Sequence, residues 1–208
     1  MINFNKKATT VTMKLKTLRS QFPSLPEPVI ENHEGFLVVR DDLVEGGTKR
    51  RALTNMLANM PEKEVVYPVT AHGYGQLALA FAGADTGKKV TLFMAKRKNY
   101  KDVPIVRETM EKTDAEYHLV QFPNFLNVVM ARAKTYVENT PGAKLMPLGF
   151  DTQEFSDELA KIAKRLPLKK PPKEVWLAAG TGALARALKK AWPKADRKST
   201  RLNSSHRL

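Results

Sequence analysis

Cysteine is absent from the 208 residues, which removes disulfide cross-links, thiolate nucleophiles and cysteine-ligated zinc from consideration. Histidine is scarce. The four, His33, His72, His118 and His206, are scattered along the chain and offer no metal-ligand spacing, so no metal site is expected. No apolar run approaches the roughly 20 residues that a membrane-spanning helix needs, and no short apolar core with a cleavage site follows the basic N-terminus. Acids are missing from Met1 through Pro26, where Lys6, Lys7, Lys14, Lys16 and Arg19 stand. Organelle transit peptides share that bias, but the sum of these absences favours a cytoplasmic protein with no membrane partner.

What is present is the composition of an ordinary globular chain, 42% hydrophobic and 27% charged, with a formal charge of +14. Such a charge draws nucleic acid, anionic lipid or phosphorylated small molecules alike and does not choose among them. Part of it sits in a tail. Asp196 to His206 reads DRKSTRLNSSH, which resembles a reading frame of a widely used sequencing adapter, and residues 196–208 are read as a non-native tail with the natural protein continuing past about Lys194. Removing the tail's four basic residues and one acid leaves about +11.

Apolar periodicity is missing from residues 1–17, read as a flexible lead-in, and Pro23-Ser24-Leu25-Pro26-Glu27-Pro28 is extended by its prolines. From Gly35 onward, strand and helix patterns alternate. Strands are expected at 36–39, 64–69, 90–94, 117–120, 145–148 and 174–178. Helices are expected at 48–60, 76–82, 104–112, 124–138, 152–165 and 183–191, with Asp151 or Thr152 as a candidate N-cap. Short connections between alternating elements imply an α/β fold, a parallel twisted sheet with helices on both faces.

Three glycine turns lead into helices and carry the candidate chemistry. Gly46-Gly47-Thr48-Lys49-Arg50-Arg51 places a lysine at a helix start, where the positive end of the dipole disfavours its proton and favours the free amine of an imine-forming nucleophile. A solvated lysine in a basic helix start is the plain alternative. Thr70-Ala71-His72-Gly73-Tyr74-Gly75 lies between a strand and a helix, where backbone N–H groups can cradle a carboxylate; loop packing without chemistry is the alternative for His72 and Tyr74. Gly180-Thr181-Gly182-Ala183 joins a strand to a helix in the manner of a phosphate site, or of a structural turn.

In their order, about 130 residues from Lys49 to Gly180, these segments resemble the pyridoxal-phosphate-dependent enzymes of the tryptophan-synthase-like fold (fold type II). The branch is that of aminocyclopropanecarboxylate deaminases and D-cysteine desulfhydrases. The resemblance covers about Leu18 to Ala191, so the fold would be C-terminally incomplete. It implies pyridoxal 5'-phosphate as cofactor, Lys49 as the Schiff-base lysine, and Gly180, Thr181, Gly182 and Ala183 around the phosphate. Thr70 to Gly75 would hold the carboxylate of a small amino-acid substrate, with Thr70 standing for the serine at the reacting centre. It also implies a larger domain begun by residues 18–60, a smaller α/β domain over 61–142, a return to the larger domain over 143–195, and a homo-oligomer. The implied reaction is elimination or deamination. Ala71 departs from the pattern, standing where the family has an asparagine, and a shifted match of Gly75-Gln76 restores none.

Other readings remain open. One is a cofactor-binding homologue without turnover. Another is a different phosphate-handling α/β enzyme for which Lys49 is incidental. A nucleic-acid-binding protein is disfavoured, because Lys96-Arg97-Lys98 and Lys169-Lys170 lack interleaved aromatics apart from Tyr100.

Overall fold

A computed structural model describes Leu25, residues 27–121 and residues 125–201, the last three without their side chains. The lead-in, Pro23, Ser24 and Pro26 of the proline-rich stretch, Asn124 and residues 202–208 lie outside the described residues.

The central strand, β3 (Glu64–Val69), is buried at all six positions. Such a strand belongs in the middle of a parallel sheet covered on both faces. β4 (Lys89–Ala95) and β6 (Ala143–Leu145) flank it, and β5 (Glu116–Val120) extends the far edge, giving four parallel strands in the order β5-β4-β3-β6. Pro68, which has no N–H to donate, is tolerated because β6 pairs with β3 only from Glu64 to Val66. One face carries Val66, Phe93 and Val120 against Val129 and Ala133 of α4 (Leu126–Glu138). The opposite face carries Val65, Tyr67 and Leu92 into the main core with α2 (Gly75–Thr86) and α3 (Pro104–Lys112).

Beyond α2 lies a further layer. α1 (Gly47–Asn59) packs between α2 and α5 (Gln153–Lys164), and α5 in turn carries α6 (Ala183–Ala191). α6 covers a separate parallel pair, β7 (Glu174–Ala179) and β8 (Asp196–Arg201). An antiparallel hairpin, β1 (Ile30–His33) with β2 (Phe36–Val39), precedes α1. Among the described residues no helix is long and apolar enough to cross a membrane.

Four departures from the sequence reading have physical causes. β1 was not expected; it forms because Glu34 (φ 51°) and Gly35 (φ 90°) both take positive φ, the geometry of a two-residue hairpin turn. α2 runs on to Thr86 rather than stopping at Ala82. Gly83 is a contact point and not a breaker, since a Cβ there would lie 2.2 Å from Val90, and the helix ends at left-handed Gly87, with the Lys88 N–H donating to the Gly83 carbonyl (2.9 Å). The strand expected at 145–148 lies at Ala143–Leu145, because Pro147 ends the ladder and the chain turns at Leu148–Phe150. A strand forms at Asp196–Arg201, where no element was read, pairing with β7; such a ladder uses backbone groups alone and does not bear on whether residues 196–208 are native, and Asp196 and Lys198 are exposed. Thr152 is the N-cap of α5, its hydroxyl accepting from the Phe155 N–H (3.1 Å).

The α1–α2 crossing is fixed by a buried ion pair. Arg50 donates from Nε (2.8 Å) and Nη2 (2.7 Å) to the two carboxylate oxygens of Asp85, which also accepts from the Thr54 hydroxyl (3.0 Å). Removing one partner strands a buried charge. Asp85→Ala is expected to cost about 3 kcal/mol in urea unfolding, and Arg50→Met/Asp85→Leu substantially less. Equal losses in the two variants would show that the pair is not what fixes the crossing.

Candidate functional site

The first turn of α1 is built around close approach. Gly46 (φ 83°) and Gly47 (φ 63°) bring the chain in, and a Cβ on Gly46 would lie 3.1 Å from the Ala78 Cα of α2. Lys49 is the third residue of the helix. It lines a cavity of about 790 Å³ together with Thr48, Tyr74, Phe155 and the Ala178–Ala185 segment. Two helix starts, of α1 and α6, therefore face the same space, each with unsatisfied N–H groups and neither with a side-chain cap.

The charges of the cavity wall are unevenly matched. Asp41 pairs with Arg51 (3.2 Å), Asp42 with Arg40 (2.8 Å), and Glu45 and Glu108 both with Lys112 (2.7 and 3.1 Å). Lys49 makes no hydrogen bond or ion pair among the described residues; its amine lies 5.5 Å from the centre of the Phe150 ring. Burial holds this amine's pKa below the ordinary lysine range. The sequence reading assigned that depression to the helix dipole, and the structure adds burial as its cause. An unpaired, half-buried amine whose pKa is lowered by burial is closer than a surface lysine to the uncharged form that attacks carbonyl carbon.

Across the cavity, Gly180 and Thr181 are exposed, Gly182 is half-buried and Ala183 is buried. A Cβ on Gly180 would meet nothing within 4 Å, so the cavity side of the turn is open backbone. Gly182 (φ 80°) caps α6 in the left-handed region, where glycine is the unstrained choice. The structure thus brings Lys49, Tyr74 and Gly180 to Ala183 to one cavity.

Thr70, Ala71, His72, Gly73 and Gly75 are not among its lining residues. Thr70 and His72 are exposed, Gly73 half-buried, and Ala71 and Gly75 buried. The Ala71 side chain packs in the main core, so at the position where the family pattern has asparagine this chain presents no polar group. Gly73 lets the Thr70 side chain lie close, since a Cβ there would come 2.9 Å from the Thr70 hydroxyl oxygen.

The shape of this loop comes from Gln76, whose side chain is fully buried. Its Nε2 donates to the carbonyls of Thr70 (3.3 Å), Ala71 (3.2 Å) and Gly73 (2.9 Å), and its Oε1 accepts from the Tyr117 hydroxyl (2.6 Å). Burial pushes the Tyr117 hydroxyl up to about 12, which keeps it a donor at all ordinary pH. These bonds draw the carbonyls of Thr70, Ala71 and Gly73 towards the buried amide, and the Gly73 N–H closes the turn on the Thr70 carbonyl (3.1 Å). Sequence reasoning included Gln76 in the segment but missed this role. The available signal was a lone amide at the head of the apolar stretch Leu77–Ala82.

No protein-family model and no curated protein matches the sequence. Solved structures do match in fold. The processed form of threonine deaminase isoform 2 from Solanum lycopersicum is 18% identical with a TM-score of 0.65, matched over 91% of this chain and 55% of that one. An ACC deaminase homologue is 15% identical, with a TM-score of 0.65 over 86% and 61%. A hydrogen sulfide-producing enzyme from Fusobacterium nucleatum is 19% identical, with a TM-score of 0.54 over 88% and 60%. The likeness is one of fold, and with it the tryptophan-synthase-like α/β architecture expected from the sequence is borne out. The chain spans little more than half the length of these structures.

Gln76→Leu removes a partner from three loop carbonyls and from the Tyr117 hydroxyl at once. The expected cost is about 1–3 kcal/mol in urea unfolding, with faster amide exchange over residues 70–75. Exchange at the wild-type rate in this variant would remove Gln76 from its anchoring role.

Proposed function

We propose that this chain forms the lysine and phosphate-loop portion of a pyridoxal-phosphate-dependent lyase or deaminase acting on a small amino acid. The observation that carries the reading is the convergence of the unpaired Lys49 amine and the Gly180–Ala183 helix start on one cavity. Its support is the fold shared with a threonine deaminase, an ACC deaminase homologue and a hydrogen sulfide-producing enzyme.

The residues present fit the cofactor. A free amine stands ready for its aldehyde, and an open glycine turn backed by helix N–H groups suits its phosphate. When bound, pyridoxal phosphate supplies an electron sink for bonds broken at the amino acid's α or β carbon. This chain's residues do the rest. Gly180, Thr181, Gly182 and Ala183 would hold the phosphate. Lys49 would hold the ring through its amine and, once displaced by substrate, would take or return a proton at the α carbon from that amine. The Gln76-braced segment from Thr70 to Gly75 would receive the substrate carboxylate through backbone N–H groups, with Thr70 offering a hydroxyl and Tyr74 facing the Lys49 cavity.

Ala71 favours a second reading, a homologue that binds the cofactor without turning over substrate. Its methyl group lies in the core and leaves no side-chain donor at that point of the loop.

Titrating the purified protein with pyridoxal phosphate tests both. The expected result is a visible absorbance band, bleached by borohydride and absent from Lys49→Ala. Release of a keto acid from a small amino acid then separates the enzyme from the inert homologue. A band of equal strength in Lys49→Ala would end the assignment of Lys49.

A further inference from the structure

Phe150 holds a backbone conformation that a bulky residue rarely adopts. Its φ is 58°, and it follows Gly149 at 73°, so two successive residues are left-handed. The surroundings enforce this. Phe150 is fully buried, its ring stacked on Tyr67 (centroids 4.5 Å apart, planes 18° from parallel) and tilted against Phe155 (5.4 Å). The Gly149 N–H donates to the Tyr67 hydroxyl (3.0 Å), and the Phe150 carbonyl accepts from the Thr152 N–H (2.7 Å). Packing alone does not call for this geometry, because an aromatic side chain on an ordinary backbone fills a core without the strain.

Around this one turn the three candidate segments meet. The Lys49 amine sits 5.5 Å from the ring centre. A Cβ on Gly75, at the end of the carboxylate loop, would lie 3.2 Å from the ring edge. A Cβ on Gly149 would lie 2.5 Å from the Thr181 methyl carbon, so the turn backs directly onto the phosphate loop. The sequence presents these segments as separate stretches, and the Gly149–Phe150 turn is what they share, Phe150 meeting Lys49 and Gly75 and Gly149 meeting Thr181.

We propose that Phe150 is a positioning residue for Lys49: its ring, presented by the left-handed turn, sets where the amine stands and shields it from water on that side. The inference rests on the cofactor reading only for the chemistry the amine would go on to do; the positioning concerns this chain alone. Shielding by the ring and release of the proton are linked, since water that reaches an amine stabilises its charged form; at 5.5 Å the ring face attracts the ammonium only weakly, and the loss of water outweighs it.

The test needs no cofactor. The full chain is labelled with formaldehyde and cyanoborohydride across a range of pH, and mass spectrometry of the peptide carrying Lys49 gives its rate beside those of surface lysines. Lys49 is expected to label at lower pH than the surface lysines. Phe150→Leu should move its midpoint up toward theirs and slow its labelling at pH 8 by about threefold or more. Phe150→Tyr, which retains the ring, should label as wild type. Should Phe150→Leu be too unstable to purify, Phe150→Met, with much of the volume and none of the ring, is read the same way. A wild-type midpoint in a folded ring-less variant overturns the proposal, as does a wild-type Lys49 that labels like a surface lysine. A low midpoint that depends on the ring, in a protein that binds no pyridoxal phosphate, upholds the positioning and defeats the cofactor reading instead.

Discussion

Arg50 and Asp85 meet where α1 crosses α2, joined through two parallel N–H···O contacts with little water around them. The Arg50 guanidinium also lies 4.5 Å from the centre of the Phe81 ring and donates to the Glu45 carbonyl (3.0 Å), so it fixes the turn before α1 as well as the helix. Much follows from this crossing. α1 set on α2 places α5, α5 places α6, and the first turn of α6 is the far wall of the Lys49 cavity. The separation between the Lys49 amine and the Gly180–Ala183 turn is therefore inherited from the contact between α1 and α2. Gly46 makes that contact close enough, because a side chain there would push against the α2 backbone.

The parts of the fold that were legible in the sequence are those whose signals are local. Pro104 marks the start of α3 and Gly182 that of α6, and both helices fall where they were read. The parts that were not legible turn on partners distant in sequence. Gly83 looks like a helix breaker until Val90 is seen against it, and β1 has a weak strand pattern until β2 pairs with it. The site divides in the same way. Glycine turns before helices could be found one by one, including the pair that shares the cavity. The inward face of Ala71, the bonds of Gln76 and the place of Phe150 depend on which side of each turn meets the core. Spacing along the chain does not carry that information.

Burial is concentrated unevenly. The four-stranded sheet is covered on both faces, whereas β1–β2 and β7–β8 are two-stranded, a size that is marginal alone. β2 exposes Phe36 and Leu37, and β7 exposes Trp176. Local opening should accordingly start in these two pairs, well before the sheet and the α1–α2–α5 layer give way. The cavity borders both regimes, with Lys49 on the firm side and the Gly180–Gly182 turn on the side joined to β7.

The loop from Thr70 to Gly73 is clasped by its carbonyl oxygens, while the side chains of His72 and of the neighbouring Tyr74 are exposed. A frame that grips main-chain atoms is indifferent to what it displays. Substitutions at these two exposed positions can therefore accumulate with little penalty to folding. Such a loop can change its surface chemistry by single steps while the architecture beneath it stays the same.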